Sequence, residues 1–446
     1  MRRARGLIAA LIVGLATAWS QAAQAAPFTA TRAVLDNGLV LLCAQRTEIP
    51  MVVVKVLVKA GSAQDRGGKE GAANLTAVLL TRGSAQHDAL ALAEEIDRLG
   101  ASLDAAVSDD YTTVTLTTLR KNLKATFALL AEAVVSPTLP APELDKKRAE
   151  VLGYLETQQE SPGWLAQKAF LETLYPHHPY GRQVEGSSES LSALTRDDVA
   201  AFHETYYRPN NAVVAFVGDV SEKEARDLVE TKLGGWPAAA IPETPWPEFV
   251  PPRNSAPVTL NKEVTQANVI LGHQGISRDN PDYYAVRVMN YLLGGGGFES
   301  LLMKRIREEM GLVYHVESSF SARKQPGPFS ITLQTRNASA RRALDEALTL
   351  VGTFLEQGVT EEDLARAKAF FIEGFPLSLV SNGHLAELLP ALEFYGLGLD
   401  YVDRYPRLIE QVTLEKVREV ARKYIRPADL IKVVVADLKK ANLSSN

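Results

Sequence analysis

An arginine and a tyrosine seven residues apart, Arg307 and Tyr314, form the pair in this 446-residue chain whose types and spacing best suit chemistry. Both side chains carry hydrogen-bond donors, and if a helix ends just after Arg307 and a strand begins near Tyr314, the two can reach one solvent-facing spot. Each also has an ordinary reading. An arginine in a last helical turn complements the helix dipole, and a strand tyrosine packs half-buried with a wet hydroxyl. Other chemistries are excluded more directly. His87, His177, His178, His203, His273, His315 and His384 include no pair at i, i+3 or i, i+4, and adjacent His177 and His178 point apart on any regular element, so no metal site is legible. There is no G-x-S-x-G elbow. Cys43, the only cysteine, sits in a predicted strand without a neighbouring base, so it is neither a nucleophile nor half of an internal disulfide.

The elements that must position the pair follow from Leu293 onward. Gly294, Gly295, Gly296 and Gly297 predict a flexible loop or hinge, since four glycines in a row do not hold a helix. No Gly-Lys-Ser/Thr follows them, so a phosphate cradle is excluded. Phe298, Leu301, Leu302, Arg305, Ile306 and Glu309 then share one helical face, with Arg307 off the Phe298/Leu302/Ile306 stripe. Gly311 is placed to end that helix, and a strand starts at Leu312.

The chain opens with Arg2, Arg3 and Arg5, an apolar run from Leu7 to Trp19 and a small-x-small site at Ala23-Gln24-Ala25, the pattern of a cleaved signal peptide over residues 1–25. A periplasmic protein is expected. No later stretch approaches the length of a membrane span. The formal net charge is −5, and loss of the three leader arginines makes it more negative, so neither nucleic acid nor anionic lipid is an expected partner.

With 46% hydrophobic residues the chain can bury large cores; length alone suggests about three domains, and an internal repeat argues for two. Thr195/Thr413, Val199/Val417, Tyr206/Tyr424, Arg208/Arg426, Pro209/Pro427, Val217/Val435 and Asp219/Asp437 match at one ungapped offset of 218 residues. Each copy reads as helix, Arg-Pro turn and β-branched strand, which makes the chain a duplication. Seven of its 23 prolines crowd between Pro237 and Pro257, a semi-rigid linker between an N-terminal unit of residues 26–236 and a C-terminal unit of residues 258–446. Strands beside long helices, without strict alternation, predict an α+β fold in which each unit is a mostly antiparallel sheet with helices packed on one face.

LDNGLVLL, YPHHPYGRQVEGS, YYRPNNAVVAFVGDV, LGGGGFESLLMKRIREEMGLVY and EGFPLSLVSNGHLAELLPALEFYGLGLDYVDRYP together resemble bacterial members of the pitrilysin and mitochondrial-processing-peptidase family of zinc peptidases. The resemblance covers nearly all of the chain after the leader. It implies the same fold twice over, closing like a clamshell. It also implies H-x-x-E-H on a helix after Gly61-Ser62, with two imidazoles for zinc and a glutamate for its water. Those positions fall on Asn74, Ala77 and Val78, and the third ligand near Gly153-Tyr154, where only Glu150 and Glu156 are close. An amide and two hydrocarbons do not make a zinc site, so no metal or other cofactor is expected in this chain.

What the resemblance then implies is a zinc-free subunit of a heteromeric metallopeptidase. A homologous partner subunit would carry zinc, and a peptide substrate would lie in a chamber between the two. Arg307 and Tyr314 would act in trans, the first holding a substrate carbonyl and the second donating to the oxyanion. Two alternatives stay open: a non-catalytic scaffold or chaperone-like peptide binder of the same fold, and a homodimer with weak activity of another kind.

Overall fold

Val52, Val54, Val56 and Val58 face one side of a strand and Val53, Lys55 and Leu57 the other, yet all are buried. A strand covered on both faces has to be central, and this requirement shapes the molecule. The computed structural model describes residues 29–244, 246–252 and 256–442; the expected leader, residues 1–25, lies outside them. The strand is β3 (Met51–Val58) of a sheet with β1 (Thr31–Val34), β2 (Val40–Gln45), β4 (Ser102–Val107), β5 (Thr112–Leu119) and β6 (Ala212–Gly218). Their order is β1-β2-β6-β3-β5-β4, and only β2 and β6 run parallel. The helices of this half are α1 (Ala72–Leu79), α2 (Ala89–Arg98), α3 (Leu123–Val135), α4 (Ala141–Gln158), α5 (Pro162–Leu174), α6 (Ser188–Ala193), α7 (Arg196–Tyr206) and α8 (Glu222–Leu233). Leu75 of α1, Phe127 of α3, Leu155 of α4, Val199 of α7 and Val229 of α8 pack with the even-numbered valines of β3 on one face.

The second half repeats this plan. Strands β7 (Val258–Asn261), β8 (Gln266–Gln274), β9 (Val313–Phe320), β10 (Pro328–Arg336) and β11 (Ile431–Ala436) lie in the order β7-β11-β8-β10-β9, with only β7 and β11 parallel. That is the order of β2-β6-β3-β5-β4 in the first sheet. Its helices are α9 (Tyr283–Asn290), α10 (Ala340–Gln357), α11 (Glu361–Gly374), α12 (Asn382–Phe394), α13 (Tyr401–Glu410), α14 (Leu414–Tyr424) and α15 (Leu438–Ala441). The repeated segment occupies the same place in both halves. The Thr195 hydroxyl caps α7 by accepting from Asp198 N and that of Thr413 caps α14 by accepting from Lys416 N; each helix then runs through its Arg-Pro turn into the inner strand of the parallel pair, β6 or β11. The fold is thus α+β, two homologous units by duplication.

Each half's own helices cover one face of its sheet; the other half covers the opposite face. Leu385, Ala386 and Leu389 of α12 lie on Val40, Leu42, Val53, Leu57, Val213 and Val217 of the first sheet. Reciprocally, Ala166, Phe170 and Leu174 of α5 lie on Ile270, Ile431, Val433 and Val435 of the second. Polar contacts sit around this exchange. Lys55, 3% exposed in mid-strand, is ion-paired with Glu387 of α12, and Arg32 makes two 2.8 Å bonds to the Glu393 carboxylate. The loop from β9 to β10 docks on the first half as well. Arg323 Nη1 is 2.7 Å from Asp109 Oδ2, Lys324 N donates to Asp110 Oδ2 at 2.9 Å, and the Tyr175 hydroxyl donates to Pro326 O at 2.8 Å. Parting the halves would expose the far faces of both sheets to water.

The proline-rich segment is fastened to the first half. Trp246 stacks on His178 with centroids 5.5 Å apart, Phe249 meets Tyr175 edge-on at 5.7 Å, and Thr244 Oγ1 accepts from Gln64 Nε2 at 2.9 Å. This explains the His177-His178 step. His178 Nδ1 accepts from Tyr180 N at 3.1 Å while its ring carries the tryptophan; burial, helped by the Arg323 and Arg182 charges, pushes its pKa down to about 4. Among the described residues no helix is long and apolar enough to cross a membrane.

Candidate functional site

The segment from α9 to β9 is helical where a loop is expected. Tyr291–Gly295 continues α9 as a wide π turn that includes Gly294 and Gly295, and only at Gly297–Glu299 does a tighter turn follow. Gly294 is needed there for closeness rather than flexibility: a Cβ on it would come within 2.5 Å of Ser318 N on β9. The loop expected at Gly294, Gly295, Gly296 and Gly297 is therefore corrected to a packed turn, with Gly297 supplying the left-handed residue, φ +56.

The helix after the glycines also differs from a regular 3.6-residue repeat. Met303–Glu309 is a second π turn, in which Met310 N donates to Arg305 O at 3.1 Å, and its buried residues are Leu302, Met303 and Ile306. Phe298 is not on that stripe; it belongs to the preceding tight turn and is 56% exposed. Gly311 does end the helical segment, at φ +63.

Arg307 is half-buried, its Cζ 4.8 Å from the Phe298 ring centroid. A guanidinium stacked on an aromatic face keeps its in-plane N–H groups free, and among the described residues no carboxylate or carbonyl takes them. Tyr314 stands on β9, an edge of the second sheet. Val313 pairs with Thr335 and His315 with Gln334, so Tyr314 is the extra residue of a β-bulge. The bulge breaks the in-out alternation and turns Tyr314 and His315 outward together, leaving Tyr314 52% exposed. Bulges re-aim side chains in this way. Nothing in the sequence marks this one, because the extra residue shows only against the partner strand. Tyr314 therefore faces outward on an edge strand, Arg307 lies in the helical turn before it against the Phe298 ring, and among the described residues no hydrogen bond or ring contact joins the two.

In the first half, Asn74, Ala77 and Val78 lie on α1, which packs between edge strand β4 and α4. Ala77 is fully buried, while Asn74 and Val78 are half-exposed. On α4, Gly153 has open space where a side chain would stand, Glu150 is ion-paired with Lys147, and Glu156 is exposed. The residues present do not fit a zinc ion, since one amide and two hydrocarbons replace two imidazoles and a carboxylate. Among the described residues no cluster of three or more His, Cys, Asp or Glu side chains could hold a metal. His203 Nε2 bonds Val134 O at 2.8 Å, and His273, held near pKa 4 by burial and the Arg426 charge, accepts from Arg426 N at 3.0 Å; both are packing histidines.

Asp65 is a buried group that sequence reading passed over. It accepts from Gly71 N and Ala73 N, both at 2.8 Å, and so caps α1 from outside the helix; burial raises its carboxyl to about 7 against the pull of those two bonds. Its only sequence signal is an acid a few residues before an apolar helix. A wide cleft of about 670 Å³ lies nearby, between α4, α5 and the His177–Arg182 loop, with Trp164, Lys168, Glu172 and Arg182 on its walls.

Comparison with known proteins agrees with this architecture. Residues 40–188 match insulinase (peptidase family M16), and residues 193–371 match the peptidase M16 inactive domain. A solved structure of a peptidase M16 inactive domain from Pseudomonas fluorescens is 30% identical, with a TM-score of 0.86 over 92% of this chain and 98% of that one. An uncharacterized zinc protease of Mycobacterium leprae is 28% identical over 402 residues, 88% of this chain and 89% of its own length. The periplasmic protease PqqL from Escherichia coli shares the fold at a TM-score of 0.77 and 17% identity, this chain spanning 49% of it.

Proposed function

The chain belongs to peptidase family M16, and from that premise we propose that it is a zinc-free subunit of a periplasmic metallopeptidase, lending its Arg307 and Tyr314 to a catalytic site on a homologous, zinc-bearing partner. One observation carries this reading: Tyr314 stands exposed on an edge strand and Arg307, in the helical turn before it, has no hydrogen-bond partner among the described residues, in a chain whose own α1 carries neither imidazole nor carboxylate. The contacts between the halves fit this reading, in which the chamber for a peptide forms between two chains.

In this reading the bond-breaking chemistry is the partner's. A peptide adds to an exposed edge strand through its backbone, which gives affinity with little sequence demand. The Tyr314 hydroxyl donates to the substrate carbonyl oxygen as that oxygen gains negative charge, and the Arg307 guanidinium holds a neighbouring carbonyl. Both donors are set in place before the reaction, the condition under which such bonds lower a barrier most. A leader over residues 1–25 would direct export, and residues 237–257 would join units of residues 26–236 and 258–446. Steady-state kinetics of the two-subunit complex with Tyr314→Phe and Arg307→Ala test the shared site.

A further inference from the structure

A second pocket, of about 520 Å³, opens beside the glycine segment between α9, α11 and the end of β9. Val286, Tyr291, Phe320, Phe370 and Phe371 give it apolar walls. Phe370 is 57% exposed and leans on the buried ring of Tyr291 with centroids 4.6 Å apart, so Phe370 forms a rim open to solvent. The only charged side chain among the described residues lining it is Arg287. Its Cζ lies 4.8 Å from the Phe371 ring centroid and 5.7 Å from that of Tyr405. Two rings thus lie close to the guanidinium, and among the described residues no carboxylate or carbonyl accepts a hydrogen bond from it. The neutral polar group beside it is already satisfied: Asn290 Nδ2 donates to Ser318 O at 2.9 Å, and Asn290 Oδ1 accepts from the Ser318 hydroxyl at 2.8 Å.

We infer that this pocket binds a carboxylate carried on an apolar group, namely the C-terminal carboxylate of a peptide whose last side chain is aromatic or aliphatic. A guanidinium whose N–H groups have no other partner matches the two oxygens of a carboxylate. A single cation among aromatic walls suits a monoanion on an apolar body and leaves a phosphoryl dianion undercompensated. A peptide is favoured over a free acid by the neighbouring edge. From the Tyr314 bulge, β9 runs to Phe320 at the pocket, about 20 Å at the usual strand rise, so a peptide lying parallel to that edge delivers its C-terminus to Arg287. The inference rests on the peptide-binding part of the proposed function and on no catalytic partner.

The test is fluorescence anisotropy on the full chain alone, with an N-terminally labelled hexapeptide ending in Leu-Phe as free acid and as amide. Amidation should weaken binding roughly ten- to a hundredfold, the usual range for a hydrogen bond to a charged group. Arg287→Gln should bind acid and amide alike at an unchanged melting temperature, Arg287→Lys should keep part of the preference, and Phe370→Ala, at an exposed ring, should weaken both ligands. Displacement of the peptide by 3-phenylpropionate supports the same pocket; binding of that acid without any binding of the peptide overturns the choice of ligand. Equal affinity for acid and amide, an acid preference that survives Arg287→Gln, or no saturable binding of either ligand overturns the inference. If Arg287→Gln does not fold, the acid preference and the Phe370→Ala loss decide it. Because no partner is present, this measurement and the kinetics at Tyr314 can fail independently.

Discussion

The ring of Phe170 on α5, in the first half, lies so close to Gly272 on β8, in the second, that a Cβ at 272 would stand 2.5 Å from its Cζ. Glycine at that point of a buried strand is what lets the exchanged helix sit flat on the sheet. Phe170→Ala should therefore cost about 3–5 kcal/mol, as loss of a fully buried ring does, and lower the urea midpoint of a single transition for the whole chain. A change within experimental error would mean that α5 does not hold the halves together.

Limited proteolysis tests the same coupling. Val250 is 72% exposed while Trp246 and Phe249 are tucked against the first half, so cleavage is expected near Val250 rather than throughout the linker. The two fragments should co-elute in native size-exclusion chromatography and separate only in denaturant. Fragments that part in native buffer would contradict the exchange of α5 and α12.

The chain purified alone should contain no stoichiometric zinc and show no peptidase activity, because Asn74, Ala77 and Val78 offer one weak donor among them. Metal analysis that finds one tightly bound zinc per chain would refute this.

For the shared site, Tyr314→Phe keeps the ring and removes the donor, so the complex should assemble while its turnover falls by about 10²-fold or more, the usual loss for one oxyanion donor. Arg307→Ala should raise KM as well as lower kcat, since it holds a carbonyl before the chemistry begins. Wild-type kinetics from both variants in an assembled complex would leave the chain as a scaffold.

Asp282 provides a pH test. Its carboxylate is 2.8 Å from Lys416 Nζ, 2.9 Å from Lys423 Nζ and 2.8 Å from the Tyr424 hydroxyl, and these partners, Lys416 foremost, hold its pKa far below the ordinary carboxylate value. The stability it contributes is present in full above the unfolded pKa of about 4 and drains away as pH falls below that. Asp282→Asn should lower the urea midpoint at pH 7 and flatten its decline between pH 5 and 3. Parallel declines in variant and wild type would show that Asp282 is not the group responsible.

Much of the fold was legible because it rests on local chemistry. The matched Thr195 and Thr413 cap their helices through bonds three residues away, and the Arg-Pro turns after them leave the chain little choice but to enter a strand. Asn74, Ala77 and Val78 could be judged unfit for zinc without coordinates, since donor atoms belong to residue types.

Tertiary structure alone decided which partners the residues met. Val53 and Leu57 read as buried strand whichever helix covers them, and only packing shows that the cover is Leu385 and Leu389 from the other half. Gly294 and Gly295 read as loop because a glycine's cost in a helix is intrinsic, whereas its reward, the close approach to Ser318, lies on a different strand. Tyr314 faces outward because β10 sets a register in which it has no opposite number, and Arg287 has free N–H groups because among the described residues no acid approaches it in space. Each of these depends on long-range pairing, which local residue pattern does not encode.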